Sequence, residues 1–345
     1  MTRLSAHQYV RRECGAVLDE TLFGDRIVNF LYSNARESAP VVFRALTGKR
    51  MSKLLSLANF DLPLTTSLLG NSRFLEQTGV DLSECVEPPE SFTTPRKIFE
   101  RRIRYWECRP EPGDPHAVVS PADSRLVIGS FQKSSGLFAK GKFFDFEELL
   151  GPDKRAWLEA FDGGDFGVFR LTPDKYHYNH TPVAGVVLDA YEISGTYHSC
   201  NPGAVVELVT PYSKNKRFVT VIDTDVDGGT GVGLVAMVEI VALMIGEIVQ
   251  AYSDERYESP RPVEPGLFVR RGRAKSLYRP GSSTDVLLFQ PGRVRFADDL
   301  ERNLRADGAQ SRFSRAFGQP LVETEVAVRS LIATRALFPA METPL

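Results

Sequence analysis

The chain has 345 residues, 42% hydrophobic and 25% charged, with a formal net charge of -2 and a pI near 6.3. That balance fits an ordinary globular protein of one large or two modest domains and carries no overall attraction for nucleic acid. Cys14, Cys85, Cys108 and Cys200 show no C-x-x-C pair and no histidine at zinc spacing, which argues against a disulfide or metal framework and for a reducing compartment.

Met1 to Arg12 lacks the apolar run of a signal peptide, so a cytoplasmic protein is expected. From the start to about residue 88 the pattern reads as a helical N-terminal region. Asp25 suits a helix cap ahead of Ile27, Phe30 and Leu31, and Met51, Leu54, Leu55 and Ala58 repeat the spacing. Lys49, Arg50 and Lys53 flank that second stripe. Such a face suits either an anionic membrane surface or the rest of the protein.

Pro88-Pro89 breaks the pattern and divides the chain into residues 1–88 and 89–345. Between Ser91 and Arg104 lie Arg96, Lys97, Arg101, Arg102 and Arg104, readable as a solvated face or as donors for a lipid phosphate. From Val118 the texture turns to short strand-type runs: 126–128, 167–171, 186–193, 205–209 and 218–222, with one short helix expected over 152–161. No rhythm of alternating strands and long helices is present, so the fold class expected is α+β, helical first and then a mostly antiparallel β-rich domain.

Residues 231–248 are apolar but carry Glu239 and Glu247, which argues against a membrane span and for a buried strand or core helix. The glycine-rich 228–233 lacks the lysine and strand-to-helix context of a phosphate loop. Further on, the turn Pro280-Gly281-Ser282-Ser283-Thr284 opens into Val286-Leu287-Leu288-Phe289, a buried-strand pattern. A hydroxyl held at the mouth of a strand can attack the neighbouring backbone carbonyl.

Three segments in this order, Val119-Ser120-Pro121-Ala122-Asp123-Ser124, Tyr176-His177-Tyr178-Asn179-His180-Thr181-Pro182 and the Ser283 turn, resemble the Asp, His and Ser motifs of the phosphatidylserine decarboxylase family. Lys140-Gly141, Leu149-Leu150-Gly151 and Pro291-Gly292-Arg293-Val294 fit the same pattern, and the resemblance runs from about Ser91 to Val328. It implies that Asp123 orients His180, which takes the proton of Ser283 so that the serine attacks the preceding peptide bond. The ester then eliminates, leaving a small chain that begins with a covalent pyruvoyl group. That ketone forms a Schiff base with the substrate amine and accepts the electrons of the departing carboxylate, so neither pyridoxal phosphate nor metal is called for. His177 is then the group that protonates the substrate carbon. The partners implied are a phospholipid at the cytoplasmic face of a membrane and the large and small chains of one precursor, with self-association left open.

The sequence departs from the family pattern at the cut. Ser282 stands where glycine is usual, which makes Ser282-Ser283 the expected junction and Gly281-Ser282 the alternative. Ala274 and Ser276 replace an acidic residue and a glycine, and Arg273 and Lys275 add cations that could reshape head-group selection. Two other readings stay open: a decarboxylase of a free amino acid, or a chain that no longer matures and serves as a binding or structural module.

Overall fold

The computed structural model describes residues 6–20, 22, 79–131, 143–207, 211–242, 247–280 and 283–336. Its strands are β1 (Gln8–Arg11), β2 (Val17–Asp19), β3 (Ala117–Val119), β4 (Ser124–Ser130), β5 (Asp165–Leu171), β6 (Tyr178–His180), β7 (Gly185–Ile193), β8 (Arg217–Asp223), β9 (Leu234–Val241), β10 (Ile248–Gln250), β11 (Phe268–Val269), β12 (Ala274–Tyr278), β13 (Ser283–Phe289), β14 (Val294–Phe296), β15 (Glu323–Val326) and β16 (Leu331–Arg335). Ten form one sheet in the order β11-β7-β8-β9-β13-β5-β4-β15-β1-β2, and two three-stranded sheets run β10-β12-β6 and β14-β16-β3. Pairing is antiparallel except between β1 and β15, so the mostly antiparallel β-rich domain expected from the sequence is what forms.

β13 lies inside the large sheet, in register with β5 through Ser283↔Leu171 and with β9 through Ser283↔Val241. All seven of its residues are buried. Its alternate side chains enter two cores: Val286 and Leu288 pack with Phe166, Val219 and Val238, while Leu287 and Phe289 pack with Phe169, Met237 and Ile332. A strand covered on both faces needs apolar residues at successive positions, which is why Val286 to Phe289 read as an uninterrupted run.

The strands expected at 126–128, 167–171, 186–193 and 218–222 fall within β4, β5, β7 and β8. Residues 231–248 contain the buried strand β9, not a helix. Among the described residues no helix is long and apolar enough to cross a membrane.

The helices are short: α1 (Pro95–Phe99), α2 (Tyr105–Cys108), α3 (Phe146–Leu150), α4 (Arg155–Phe161), α5 (Pro202–Glu207) and α6 (Pro211–Lys214) precede β8 among the described residues. α4 is the helix expected over 152–161. Two expectations are corrected. The strand expected at 205–209 is helical through Glu207, with Pro202 in the first turn and Ala204 and Val205 facing the core. A short apolar run serves either element, and the first-turn proline decides here.

The start of the chain is also not helical where it is described: β1 pairs with β15 and with β2, burying Tyr9 and Val10. Its partner β15 lies more than 300 residues away, so no local pattern announces it. The helices expected around Asp25 to Leu31 and Met51 to Ala58 lie outside the described residues.

Candidate active site

Each sequence-chosen residue occupies a different support. Asp123 sits in the turn between β3 and β4, His180 ends β6, His177 immediately precedes β6, and Ser283 opens β13. All four are buried, Asp123 at 7% exposure and the others at 0%. Ser282, the residue before the nucleophile, lies outside the described residues.

Asp123 is anchored by Arg109, whose Nη2 donates to Oδ2 at 3.0 Å and Nε to Oδ1 at 3.2 Å, and by the Val328 N–H at 2.7 Å. Burial alone would raise this carboxyl, but the Arg109 guanidinium and the three hydrogen bonds reverse the effect and hold it below the usual carboxylate range. Arg109 also forks onto Glu84, at 2.8 and 2.9 Å.

His180 is placed by backbone: its N–H donates to Pro121 O at 2.7 Å, tying β6 to the turn that carries Asp123. Its Nδ1 meets the Gly272 carbonyl at 2.9 Å and its Nε2 the Tyr176 hydroxyl at 3.0 Å. Gly272 adopts φ of +70°, where a Cβ would also meet Glu111 at 2.6 Å, so glycine is needed to present that carbonyl. Burial, joined by the positive charges of Arg329 and Arg273, pushes the His180 imidazole down to about 3, and the charge of Asp123 works the other way. Both ring nitrogens are thus engaged, and neither bonds Asp123 or Ser283.

His177 presents the opposite case. Its ring stacks on Phe99 of α1 at 3.5 Å between centroids, and both ring nitrogens are buried without a partner. Burial, aided by Arg101 and opposed by the nearby Lys175 backbone and the Asp174 charge, pushes it down to about 3, so it is neutral at pH 7. Ser283 Oγ is likewise buried and unpartnered.

One small apolar cluster links these two orphaned groups: Phe99, Ala122, Leu171 and Tyr278. Phe99 carries His177, Ala122 precedes Asp123, Leu171 is the strand partner of Ser283, and the Tyr278 N–H donates to His177 O at 3.1 Å. The fold therefore gathers the Asp, His and Ser segments around one spot without closing a hydrogen-bonded Asp-His-Ser chain.

Beneath β13 lies a polar layer that sequence reasoning did not anticipate. Lys275 is wholly buried and donates to Glu239 Oε2 at 2.6 Å and Gln250 Oε1 at 2.9 Å, so it is not a solvent-facing cation available to a head group. Glu239 also accepts from Ser276, from Asn179 at 3.2 Å and from Gln250 at 2.8 Å. Asp285, opposite Glu239 in the ladder, accepts from the Tyr278 hydroxyl at 2.7 Å and leaves Oδ2 unpartnered. Burial, then the charge of Glu239, holds the Asp285 carboxyl well above its ordinary range.

The basic window also has internal partners: Arg96 with Glu100, Lys97 with Ser91 O, Arg101 with the Ile98 and Asp174 carbonyls, Arg102 with Glu87, and Arg104 with Glu107. Sequence reading missed Arg109 as the partner of Asp123 and Tyr176 and Tyr257 as neighbours of His180. Tyr176 stood in the quoted His motif, whereas nothing local marks Tyr257.

A sequence model described as phosphatidylserine decarboxylase matches residues 96–314. A phosphatidylserine decarboxylase proenzyme of Bordetella petrii is 31% identical over 240 residues, 66% of this chain and 80% of the relative. One from Fusobacterium nucleatum is 27% identical over 304 residues, covering 86% and 91% of the two chains, and one from Chlamydia muridarum is 29% identical over 318 residues, covering 88% and 93%. With the family model matched across more than half of its length, this chain belongs to the phosphatidylserine decarboxylase family, a family of carboxy-lyases.

Proposed function

We propose that the protein is made as a precursor, cuts itself at Ser282-Ser283, and decarboxylates phosphatidylserine to phosphatidylethanolamine with a pyruvoyl group derived from Ser283. The observation that carries this reading is the pair of buried, unpartnered groups, Ser283 Oγ and the His177 imidazole, on either side of one apolar cluster in a chain of this family. An unsatisfied buried hydroxyl costs about 1–3 kcal/mol, a cost that function rather than stability explains.

In the cut, Ser283 Oγ bonds to the Ser282 carbonyl carbon, the bond from that carbon to the Ser283 nitrogen breaks, and the hydroxyl proton ends on the freed amine. Elimination then removes the α-proton of position 283 and breaks its Cβ–Oγ bond, leaving a carboxylate on Ser282, and water replaces the nitrogen, which departs as ammonia. His180, with the Asp123 charge favouring its protonated form, is assigned the acid–base work. The residues fit the resulting group: β13, laddered on both edges, would hold position 283, flanked by Leu171 and Val241. Once formed, the pyruvoyl group supplies a ketone that captures the substrate amine and takes up the electrons of the departing carboxylate. His177, neutral in the fold without substrate, is assigned the return of a proton to the substrate carbon once it has taken one up as the imidazolium.

The two products of the cut would stay together. β13 is hydrogen-bonded between β5 and β9, β15 between β4 and β1, and β16 pairs with β3. The catalytic unit proposed begins near residue 89 and works at the cytoplasmic face of an anionic membrane.

The test is intact mass of the denatured protein beside Ser283→Ala, with release of carbon dioxide from phosphatidylserine vesicles and from free serine. Two chains, the smaller blocked and beginning at 283, together with vesicle activity, are expected. A small chain beginning at 282 moves the cut to Gly281-Ser282. Activity on serine alone replaces the lipid with a free amino acid, and one uncut, inactive chain leaves only a binding or structural module.

A further inference from the structure

His180 is the inner end of a hydrogen-bonded row of ring groups. Its Nε2 lies 3.0 Å from Tyr176 Oη, which lies 2.7 Å from Tyr257 Oη. Tyr257 Oη in turn is 2.8 Å from the Ile103 carbonyl and accepts the Ile103 N–H at 3.1 Å. His180 and Tyr176 are wholly buried, whereas Tyr257 is a partly exposed residue between exposed Arg256 and Glu258, so the row leads outward from the buried imidazole. Tyr105 packs edge-on against both ends, 4.6 Å from His180 and 5.5 Å from Tyr257.

Donor and acceptor accounting fixes the protons. A carbonyl can only accept, so Nδ1 must carry the hydrogen it gives to Gly272 O. In neutral His180, Nε2 is then an acceptor: Tyr257 donates to Tyr176 and Tyr176 donates to Nε2. In the imidazolium, Nε2–H donates to Tyr176, Tyr176 donates to Tyr257, and Tyr257 donates to Ile103 O. Ile103 O already accepts from Tyr105 N at 2.8 Å, so it is satisfied in either state. The three short contacts from Nε2 to Ile103 O are all filled in the imidazolium state, with every hydroxyl reversed, whereas neutral His180 leaves the 2.8 Å contact between Tyr257 Oη and Ile103 O without a hydrogen.

We propose that Tyr176 and Tyr257 are positioning residues that form a proton relay, through which His180 Nε2 gains and loses its proton along a buried path to the surface. This rests on the reading of His180 as the acid–base group of the site. For uptake, a solvent acid gives a proton to the Tyr257 oxygen, Tyr257 passes its own to Tyr176, and Tyr176 passes its own to Nε2. Three O–H or N–H bonds form as three break, counting the acid, and one positive charge arrives on the imidazole. Burial is the first cause raising both phenols above their ordinary range, so they pass protons rather than rest as phenolates. The charged groups facing the imidazole are Arg329 and Arg273, which oppose its charge, and Asp123, which favours it.

The experiment uses the full chain carrying Ser283→Ala, labelled with nitrogen-15 at its five histidines, with His180 assigned by its loss in His180→Gln. Long-range proton–nitrogen spectra at neutral pH are expected to show His180 protonated at Nδ1 with Nε2 as acceptor, and Tyr176→Phe to shift the Nε2 resonance. In chains that keep Ser283, freshly synthesised Tyr257→Phe is expected to keep that tautomer yet cut itself about tenfold or more slowly, with an altered pH profile over about pH 6 to 8. A wild-type tautomer protonated at Nε2 overturns the relay, as does a Tyr257→Phe rate and pH profile equal to the parent's. If Tyr257→Phe fails to fold, the tautomer in the Ser283→Ala chain still decides. Normal self-cleavage by His180→Gln would instead refute the role given to His180.

Discussion

Arg109 holds Asp123 through two parallel contacts, Nη2 to Oδ2 at 3.0 Å and Nε to Oδ1 at 3.2 Å, with both side chains largely withdrawn from solvent. Asp123 is therefore an anchored anion beside the His180 segment and not a free partner for its ring. Removing one member of a buried pair leaves the other uncompensated and typically costs about 3–5 kcal/mol. Arg109→Met is expected to destabilise by that order and to slow self-cleavage, whereas Arg109→Lys, which keeps charge but loses the fork, should fall between. Urea unfolding of the Ser283→Ala precursor checks the first, and cell-free self-cleavage the second.

The two buried histidines make a pH prediction. Both His177 and His180 are pushed down to about 3 in the fold, while an unfolded histidine titrates near 6.5. Between those values the unfolded chain binds the more protons, so stability falls as pH drops from about 6.5 toward 3, by at most about 1.4 kcal/mol per pH unit for each group. Urea midpoints at pH 7, 6 and 5 should decline steadily, and His177→Gln should flatten the slope. An unchanged slope in that variant would show that His177 takes up a proton in the folded state.

Lys275 and Glu239 form an ion pair at 2.6 Å with neither side chain exposed. Lys275→Met alone is expected to cost about 3–5 kcal/mol, and Lys275→Met with Glu239→Leu to recover only part of it, since the apolar pair avoids the desolvation of both charges but leaves Ser276, Asn179 and Gln250 without the carboxylate that accepts from them. Asp285, its carboxyl raised by burial and with one oxygen unsatisfied, has a different prospect. Asp285→Val is expected to be within about 1 kcal/mol of the parent, because it deletes an unpartnered buried oxygen while the Tyr278 hydroxyl, losing Asp285, keeps the Thr284 carbonyl at 3.1 Å as acceptor. Thermal melts of the three variants distinguish these outcomes.

Arg170 grips Glu323 on β15, Nε to Oε1 at 3.0 Å and Nη2 to Oε2 at 2.6 Å, and reaches Glu20 with the same side chain. His7 completes the group at 2.7 Å from Glu323. Burial would raise the Glu323 carboxyl, but Arg170 and His7 lower it to about 2, so its stabilisation is present above about pH 4.5 and is lost as pH falls toward 2. In the cut protein this clamp spans the two chains. Arg170→Met is expected to let the small chain separate at a lower urea concentration than in the parent, measured by size-exclusion chromatography.

The sequence by itself determined the β-rich class, the buried strand from Val286 to Phe289 and the three segments that carry Asp123, the two histidines and Ser283. These are legible because strand patterns, turn residues and motif spacing are local properties of a chain. Tertiary structure decided what each side chain meets: Asp123 with Arg109, His180 with Tyr176 and the Gly272 carbonyl, Lys275 with Glu239, and β1 with a strand more than 300 residues away. It also turned residues 202–207 from an expected strand into a helix. Hydrogen-bond partners, burial and the resulting protonation states depend on groups brought together from distant positions, and no local pattern records which ones will meet.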